Sequence, residues 1–570
     1  MKLMKIIKSN FLKFHVSSIN QLIHSLEIKK SLIFYMLPTY YLLTILNAFF
    51  EGVSMLLLVT MFTESSVNSS NNPLLGYLMN FINSIGLPIE YPNIVNVLIV
   101  TFGISLFIRS SLLVFDGVLS AKLRRRLQKT IFKRILFGQW RDTKDLQIGD
   151  MVGTSTQEAQ VIAKYLSSVI SASYFAISSL VMIIMAIITG YKVALFMGII
   201  VLPFIFLMQK IFSIQAGLSK QSALLRNKFS ADIADRFYGL LQIHVENNYE
   251  YHLKKGLRSQ ARLYRLDVLS AYCQSVIGAF NLLLPFFALV GLSLWIYFVG
   301  NVYTPNFPLI ASVGLLGVKA ATQLNGVVAS LGNLSRLSGS LFPVLESLNI
   351  QSVPVTKSIK EIVVGVLCKN ISFSYGDRNV IHSATINAFV GAPLQLSGGS
   401  GKGKTTFANL IAGLYLPDLG NITYLGASGE KYESSQYRAH IGFVTQDIYL
   451  FAGSFRSNLL AGQNCTDEEI WLTLDQVEAA DFVRDLGGLD VKITEAGRSL
   501  SGGQRRRLGI ARALITGCDI LILDEITSGL DKVNKGAVIK LIDKLSRSKV
   551  VVVISHEELV LSQQSIYFLK

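Results

Sequence analysis

Leu396-Gln-Leu-Ser-Gly-Gly-Ser-Gly-Lys-Gly-Lys-Thr-Thr-Phe407 is the stretch that decides how this chain reads. From Gly398 to Thr405 it satisfies the spacing G-x-x-x-x-G-K-[ST], through Gly399, Ser400, Gly401, Lys402, Gly403 and Lys404. Glycines at this density let successive backbone N–H groups turn inward and cradle phosphate oxygens. Lys404 reaches the β- and γ-phosphates, and the Thr405 hydroxyl, with Thr406 beside it, is placed to ligate Mg²⁺. The run Phe407–Leu416 has helical character, so a helix N-terminus points at the anion. The rival reading is a plain glycine-rich turn, and the downstream sequence separates the two.

Ile520-Leu-Ile-Leu-Asp-Glu525 is an apolar strand pattern ending in two carboxylates. Asp524 is suited to the Mg²⁺ shell and Glu525 to polarising an attacking water. Between the two motifs lies Leu500-Ser-Gly-Gly-Gln504. With these three motifs in this order, the chain resembles the ATP-binding cassette (ABC) family from about residue 363 to residue 570. The implied fold is an α/β P-loop ATPase domain with a helical subdomain.

The resemblance assigns further positions. Tyr375 matches an aromatic that stacks on adenine, and Gln446 matches a residue that touches Mg²⁺. Ser501, Gly502, Gly503 and Gln504 match the signature that closes over ATP held by another subunit. Asp531 matches the D-loop, and His556 matches a γ-phosphate contact. Glu525, His556 and Lys404 are the implied catalytic set, with ATP and Mg²⁺ as cofactors. Some positions depart from the family pattern: Gly399, Lys402, a shortened stretch Thr494–Arg498, Gly529 and an early stop after His556. One P-loop and one signature are present, without internal repeat. A half-transporter follows, pairing with a second copy of itself or with a related half-transporter.

Composition places the rest. The chain has 570 residues, is 51% hydrophobic and carries a net charge of +16. Its mean hydropathy is +0.45, and the apolar excess precedes residue 340. The basic clusters flank apolar runs, so lipid head groups and membrane topology explain them, and no nucleic-acid partner is expected. Cys273, Cys368, Cys465 and Cys518 are scattered without C-x-x-C spacing, which suggests neither a zinc site nor a disulfide framework.

Residues 1–31 hold six lysines among apolar residues. Lys8 and Lys13 interrupt any signal-peptide core, so this reads as a basic amphipathic segment on the cytoplasmic membrane face. The membrane domain is expected over residues 32–340, a linker over 341–362 and the ATPase over 363–570. Six spans are expected: about 32–62, 94–119, 165–189, 193–212, 276–299 and 309–331. The loop at 63–92 has no Lys or Arg and reads as external, with a short helix over 74–85 as one option. The second span continues into Lys122-Leu-Arg-Arg-Arg-Leu-Gln-Lys129 and on to about residue 137. A turn at Gly190–Lys192 joins spans three and four. By resemblance to ABC exporters, coupling turns are expected at about 144–154 and 237–245. Six spans leave both termini cytoplasmic, in a multi-pass plasma (bacterial inner) membrane protein.

Charge inside a span usually faces a cavity or a partner. Arg109 and Asp116 lie seven residues apart on one helix face. One reading pairs them or lets Arg109 snorkel. The other has Arg109, with Lys122 and Arg124–Arg126 below it, lining a cavity for an anionic head group. An Arg in the second span and a long first external loop loosely resemble bacterial lipid-linked oligosaccharide flippases, and peptide exporters share the scaffold. The expected function is ATP-driven export or flipping by alternating access. The alternative is an ABC ATPase that regulates or gates.

Overall fold

The structure is a computed structural model. It describes residues 21–22, 30–61, 77, 80, 83–84, 91–144, 146, 148–299, 307–351, 357–399, 401–493, 499–528, 532–557, 559, 561 and 565–569. The chain divides into two compact units: Met1–Gly138 with Asp142–Ser352, and Gln139–Arg141 with Val353–Lys570. Ser400, Asp531, Gly529, the stretch 494–498, the first twenty residues and most of 62–90 lie outside the described residues.

The first unit is helical. Its long elements are α1 (Lys30–Met61), α2 (Tyr91–Leu136), α3 (Ala159–Tyr238), α4 (Tyr249–Val299) and α5 (Phe307–Leu337). At 1.5 Å per residue, a 46-residue helix such as α2 runs to about 70 Å, well beyond a hydrocarbon core of ~30 Å. Its surplus length carries the basic run Lys122–Lys129. Among the described residues, four helices are long and apolar enough to cross a membrane, over Leu37–Val59, Pro92–Leu136, Gly149–Ile199 and Tyr249–Tyr297.

Within α3 the helix is broken at Gly190, with φ −163° and ψ 83°. The expected turn there shrinks to this one residue, because Tyr191 already resumes helical structure. A Cβ at Gly190 would stand 2.9 Å from Val313 Cγ2 of α5, so close helix contact explains the glycine. The sixth expected span forms as α5 (Phe307–Leu337). Lys319, Thr322, Gln323 and Asn325 fall in its middle.

Two expected turns fall among short elements. Ile148–Gly153 is a helix followed by a π-helical stretch, Thr154–Glu158. Gly239 ends α3 and a short helix, Leu240–Glu246, follows, closed by Asn247 at φ 55°.

The second unit is α/β. An antiparallel sheet is built from β1 (Val363–Tyr375), β2 (Arg378–Phe389), β4 (Leu419–Gly426) and β5 (Lys431–Glu433), ordered β2-β1-β4-β5. A parallel sheet holds β3 (Leu394–Ser397), β6 (Ile441–Val444), β7 (Ile520–Asp524), β8 (Val550–Ile554) and β9 (Ser565–Phe568), ordered β9-β3-β8-β7-β6. All residues of β3, β7 and β8 are buried, which explains their nearly unbroken apolar sequences. Ile520 and Ile522 point into one core with Phe407, while Leu521 and Leu523 point into another with Leu508 and Ile510. The unit also holds the helices α6 (Lys404–Ile411), α7 (Gly502–Ile515) and α8 (Lys532–Ser546), with shorter helices over Phe455–Leu460, Asp467–Gln476 and Ala480–Asp485 between α6 and α7.

Candidate nucleotide-binding site

Parallel sheets place their functional residues beyond the C-terminal strand ends, and this one does so three times. β3 runs into the glycine loop and α6. β7 ends on Asp524 and Glu525. β8 leads to Ser555 and His556.

Gly403 caps α6 at φ 86°, and a Cβ there would lie 2.8 Å from Val380 Cγ1. Both the backbone conformation and the space therefore require glycine. Lys404 is buried, and its Nζ donates to the carbonyls of Gly398 (2.9 Å) and Gly399 (3.0 Å). The ammonium is thus folded back over the loop whose N–H groups form the cradle. Lys402 is exposed, so the extra cation of this loop faces solvent.

Thr405 Oγ1 donates to Asp524 Oδ2 at 3.2 Å. Burial raises the Asp524 carboxyl above its ordinary range, and the neighbouring Glu525 adds to this. The Thr405 hydrogen bond, Lys404 and His556 offset part of the rise. Glu525 sits at φ 50°, in the left-handed region that costs a non-glycine residue about 1–2 kcal/mol. Its N–H donates to the Ile554 carbonyl at 3.0 Å, which ties the kink to the end of β8. His556 Nε2 lies 2.7 Å from Glu525 Oε1, and Nδ1 lies 3.5 Å from Lys404 Nζ. A single neutral tautomer, protonated on Nε2, satisfies both: it donates to the carboxylate and accepts from the ammonium.

Tyr375 ends β1 beside the loop. Its hydroxyl is 3.4 Å from Thr406 Oγ1, and its ring meets Phe373 and Tyr415 edge-on, with centroids 5.0 and 5.7 Å away. Gln446 is exposed two residues beyond β6. The signature opens α7 with a capping box. Ser501 Oγ accepts from Gln504 N–H (3.2 Å), and Gln504 Oε1 accepts from Ser501 N–H (2.9 Å). The Ser501 O–H still has a proton to donate. Open space surrounds the Cα atoms of Gly502 and Gly503, so a ligand can approach this helix end closely. Among the described residues, no hydrogen bond joins Gln446 or the signature to the P-loop. The structure thus gathers Lys404, Thr405, Asp524, Glu525 and His556, with Tyr375 at Thr406, and leaves the signature apart.

One residue of the site escapes the motif reading. Gln395, in the middle of β3, is fully buried and hydrogen-bonded to the segment after His556. Its only trace in the sequence is an amide inside the apolar Leu394-Gln-Leu396.

In the helical unit, Arg109 and Asp116 do not pair with each other. Arg109 donates to the Tyr174 hydroxyl at 2.9 Å, and Asn47 donates to the same oxygen at 3.0 Å. Both Asp116 oxygens accept from Ser167 at 3.0 Å. Lys122 is exposed. A further ion pair joins Glu51 of α1 to Lys319 of α5.

Comparison with known proteins agrees with this picture. The family described as "ABC transporter transmembrane region" matches residues 37–304, and "ABC transporter" matches residues 381–528. An uncharacterized ABC transporter ATP-binding protein, YwjA of Bacillus subtilis, is 36% identical over 211 residues, which is 36% of this chain and 37% of that protein. A multidrug resistance ABC transporter ATP-binding and permease protein of Lactococcus lactis is 25% identical, covering 80% of this chain and 78% of its own length. An ATP-dependent lipid A-core flippase of Francisella tularensis is 26% identical, covering 78% and 74%. A solved bacterial Atm1-family ABC exporter with ATP bound superposes with a TM-score of 0.73 at 18% identity, over 94% of each chain. The chain belongs to the ABC transporter family, as a multi-pass exporter half-transporter whose helical membrane domain is fused to an ATPase that drives transport.

Proposed function

We propose that two copies of this chain form a homodimeric pump that exports or flips an amphiphile with an anionic head group across a bacterial inner membrane. The carrying observation is the chain of contacts Lys404–His556–Glu525, set beside Thr405–Asp524. It is an intact hydrolytic arrangement with a hydroxyl, two carboxylates, an imidazole and an ammonium at the ends of three strands. A regulator or gated channel can dispense with such a set, which favours the pump.

Thr405 Oγ1 and Asp524 Oδ2 form an all-oxygen pair 3.2 Å apart, a donor set that suits Mg²⁺, whose remaining ligands are water and phosphate oxygens. When bound, the cation neutralises charge on the β- and γ-phosphate oxygens. Lys404 moves from the Gly398 and Gly399 carbonyls to the phosphates. Glu525 orients the attacking water and accepts its proton. His556 holds Glu525 in place and lies next to the position of Lys404. Ser501 donates its free O–H to the γ-phosphate bound by the partner copy, at a helix N-terminus that favours negative charge. Gln446 and Asp531 join the site in the closed dimer, and Tyr375 stacks on adenine.

The substrate reading rests on the membrane unit. Arg109 is half-buried in a span, where a cation usually serves a cavity or a partner. An apolar cavity of about 360 Å³, lined by Ile183, Ala186, Met197, Val313, Gly317 and Leu324 among others, suits a hydrocarbon chain. Relatives named as a lipid A-core flippase and a multidrug transporter support an amphiphilic substrate. The test is substrate-stimulated ATPase activity in liposomes, with polyprenyl-pyrophosphate glycans against peptides. Stimulation by the lipid-linked glycans, weakened in Arg109→Gln, supports the reading. Stimulation by peptides alone overturns the substrate class.

A further inference from the structure

We propose that Gln395 is the positioning residue that holds His556 in its working place. The inference rests on the reading of His556 as part of the hydrolytic set. β3 is buried along its whole length, and a glutamine amide in such a strand is costly unless its polar atoms find partners. Among the described residues, the hydrogen-bond partners of its side chain lie in β3 itself or just beyond β8. Gln395 Nε2 donates to the Glu557 carbonyl at 2.7 Å and to Ser397 Oγ at 3.2 Å. Its Oε1 accepts from the Leu559 N–H at 3.1 Å. The side chain therefore clamps the backbone immediately after His556 from the neighbouring strand, where Gln395 pairs in register with Val553.

The His556 side chain is 44% exposed, so packing alone does not fix its ring. Its placement depends on the backbone that carries it. Two further contacts act on the same turn. The Glu557 N–H donates to Ser555 Oγ at 3.1 Å, and the Glu557 carboxylate forms an ion pair with Lys535 of α8. Gln395 differs from both because it is fully buried and grips two backbone groups at once. Without it, the turn keeps its chemistry but loses the register that puts Nε2 against Glu525.

The experiment uses the purified full chain in liposomes, with Gln395→Met to keep the buried volume and remove every donor and acceptor. Turnover should fall about tenfold, the scale of one well-placed hydrogen-bonded support, with KM for ATP unchanged. In a His556→Ala background, the same substitution should cost less than about twofold, because the two residues act through one group. Ser555→Ala provides a second variant should Gln395→Met fail to fold. It is expected to slow turnover by a smaller factor, and again only while His556 is present. An equal loss from Gln395→Met in both backgrounds, or wild-type turnover in Gln395→Met while His556→Ala is slow, overturns the inference. Wild-type turnover in His556→Ala overturns the underlying reading of the site instead.

Discussion

The imidazole of His556 stands 2.7 Å from the carboxylate of Glu525, although the two residues leave different strands. Glu525 reaches this position through a left-handed kink at the end of β7, and its N–H is tied to β8. The geometry makes the pair a unit: the ring orients the carboxylate, and the carboxylate fixes the ring's tautomer. Glu525→Gln should keep the shape and remove the base, lowering turnover by about 10²–10⁴-fold with ATP binding retained. Parallel measurements of nucleotide affinity and phosphate release check this. Loss of binding together with turnover would assign Glu525 to the cradle instead.

Asp524 leads to a pH prediction. Burial raises its carboxyl above the ordinary range. Its ionised form is therefore penalised in the fold, and the group destabilises the nucleotide-free chain at pH values above its folded pKa. Lowering the pH through that pKa relieves the penalty. Asp524→Asn should accordingly raise the thermal midpoint of the nucleotide-free chain at neutral pH, with the gain vanishing in acid, while turnover is lost. In the wild type, the Mg²⁺ concentration needed for half-maximal turnover should rise as pH falls, because protons compete for the same oxygen. A flat Mg²⁺ requirement between neutral and mildly acidic pH would count against Asp524 as a ligand.

Glu51 and Lys319 join α1 and α5 of the membrane unit, and both side chains are largely buried. Among the described residues, Glu51 Oε2 has no hydrogen-bond partner, so Lys319 is the main compensation for this charge. Lys319→Met should destabilise the chain by about 3–5 kcal/mol, the usual result of stranding one member of a buried pair. The double variant Glu51→Gln/Lys319→Met should recover most of that loss. Thermal unfolding in detergent, compared across the two variants, measures it; equal losses would mean that the pair is not coupled.

Tyr174 accepts from both Arg109 and Asn47. Tyr174→Phe should free the Arg109 guanidinium from this contact at a stability cost of about 1 kcal/mol. If Arg109 serves an anionic head group, substrate-stimulated turnover should change with little effect on basal turnover. A change in basal turnover alone would make the cluster purely structural.

The cassette was the legible part of the chain, because phosphate chemistry is written in short local strings. Gly403, Lys404 and Thr405 stand together, as do Asp524 and Glu525. What the sequence left out is what depends on distant packing. Arg109 and Asp116 share a helix face, yet their partners are Tyr174 and Ser167 on another helix. Glu51 reads as an interruption in an apolar run until Lys319, far along the chain, comes beside it. Gly190 reads as a turn of several residues, but helix contact with Val313 compresses it to one. Gln395 has no motif because its role lies in the backbone of a neighbouring strand's turn. The expected external helix over 74–85, Ser400 and Asp531 fall outside or largely outside the described residues.

The most direct test of the central claim is Mg²⁺-dependent ATP turnover by the purified chain alone in liposomes, wild type against Glu525→Gln. A homodimeric pump predicts turnover in the wild type without any other subunit, lost in Glu525→Gln while ATP still binds. A wild-type chain that binds ATP but does not turn it over, and gains activity only when a second half-transporter is added, would contradict it.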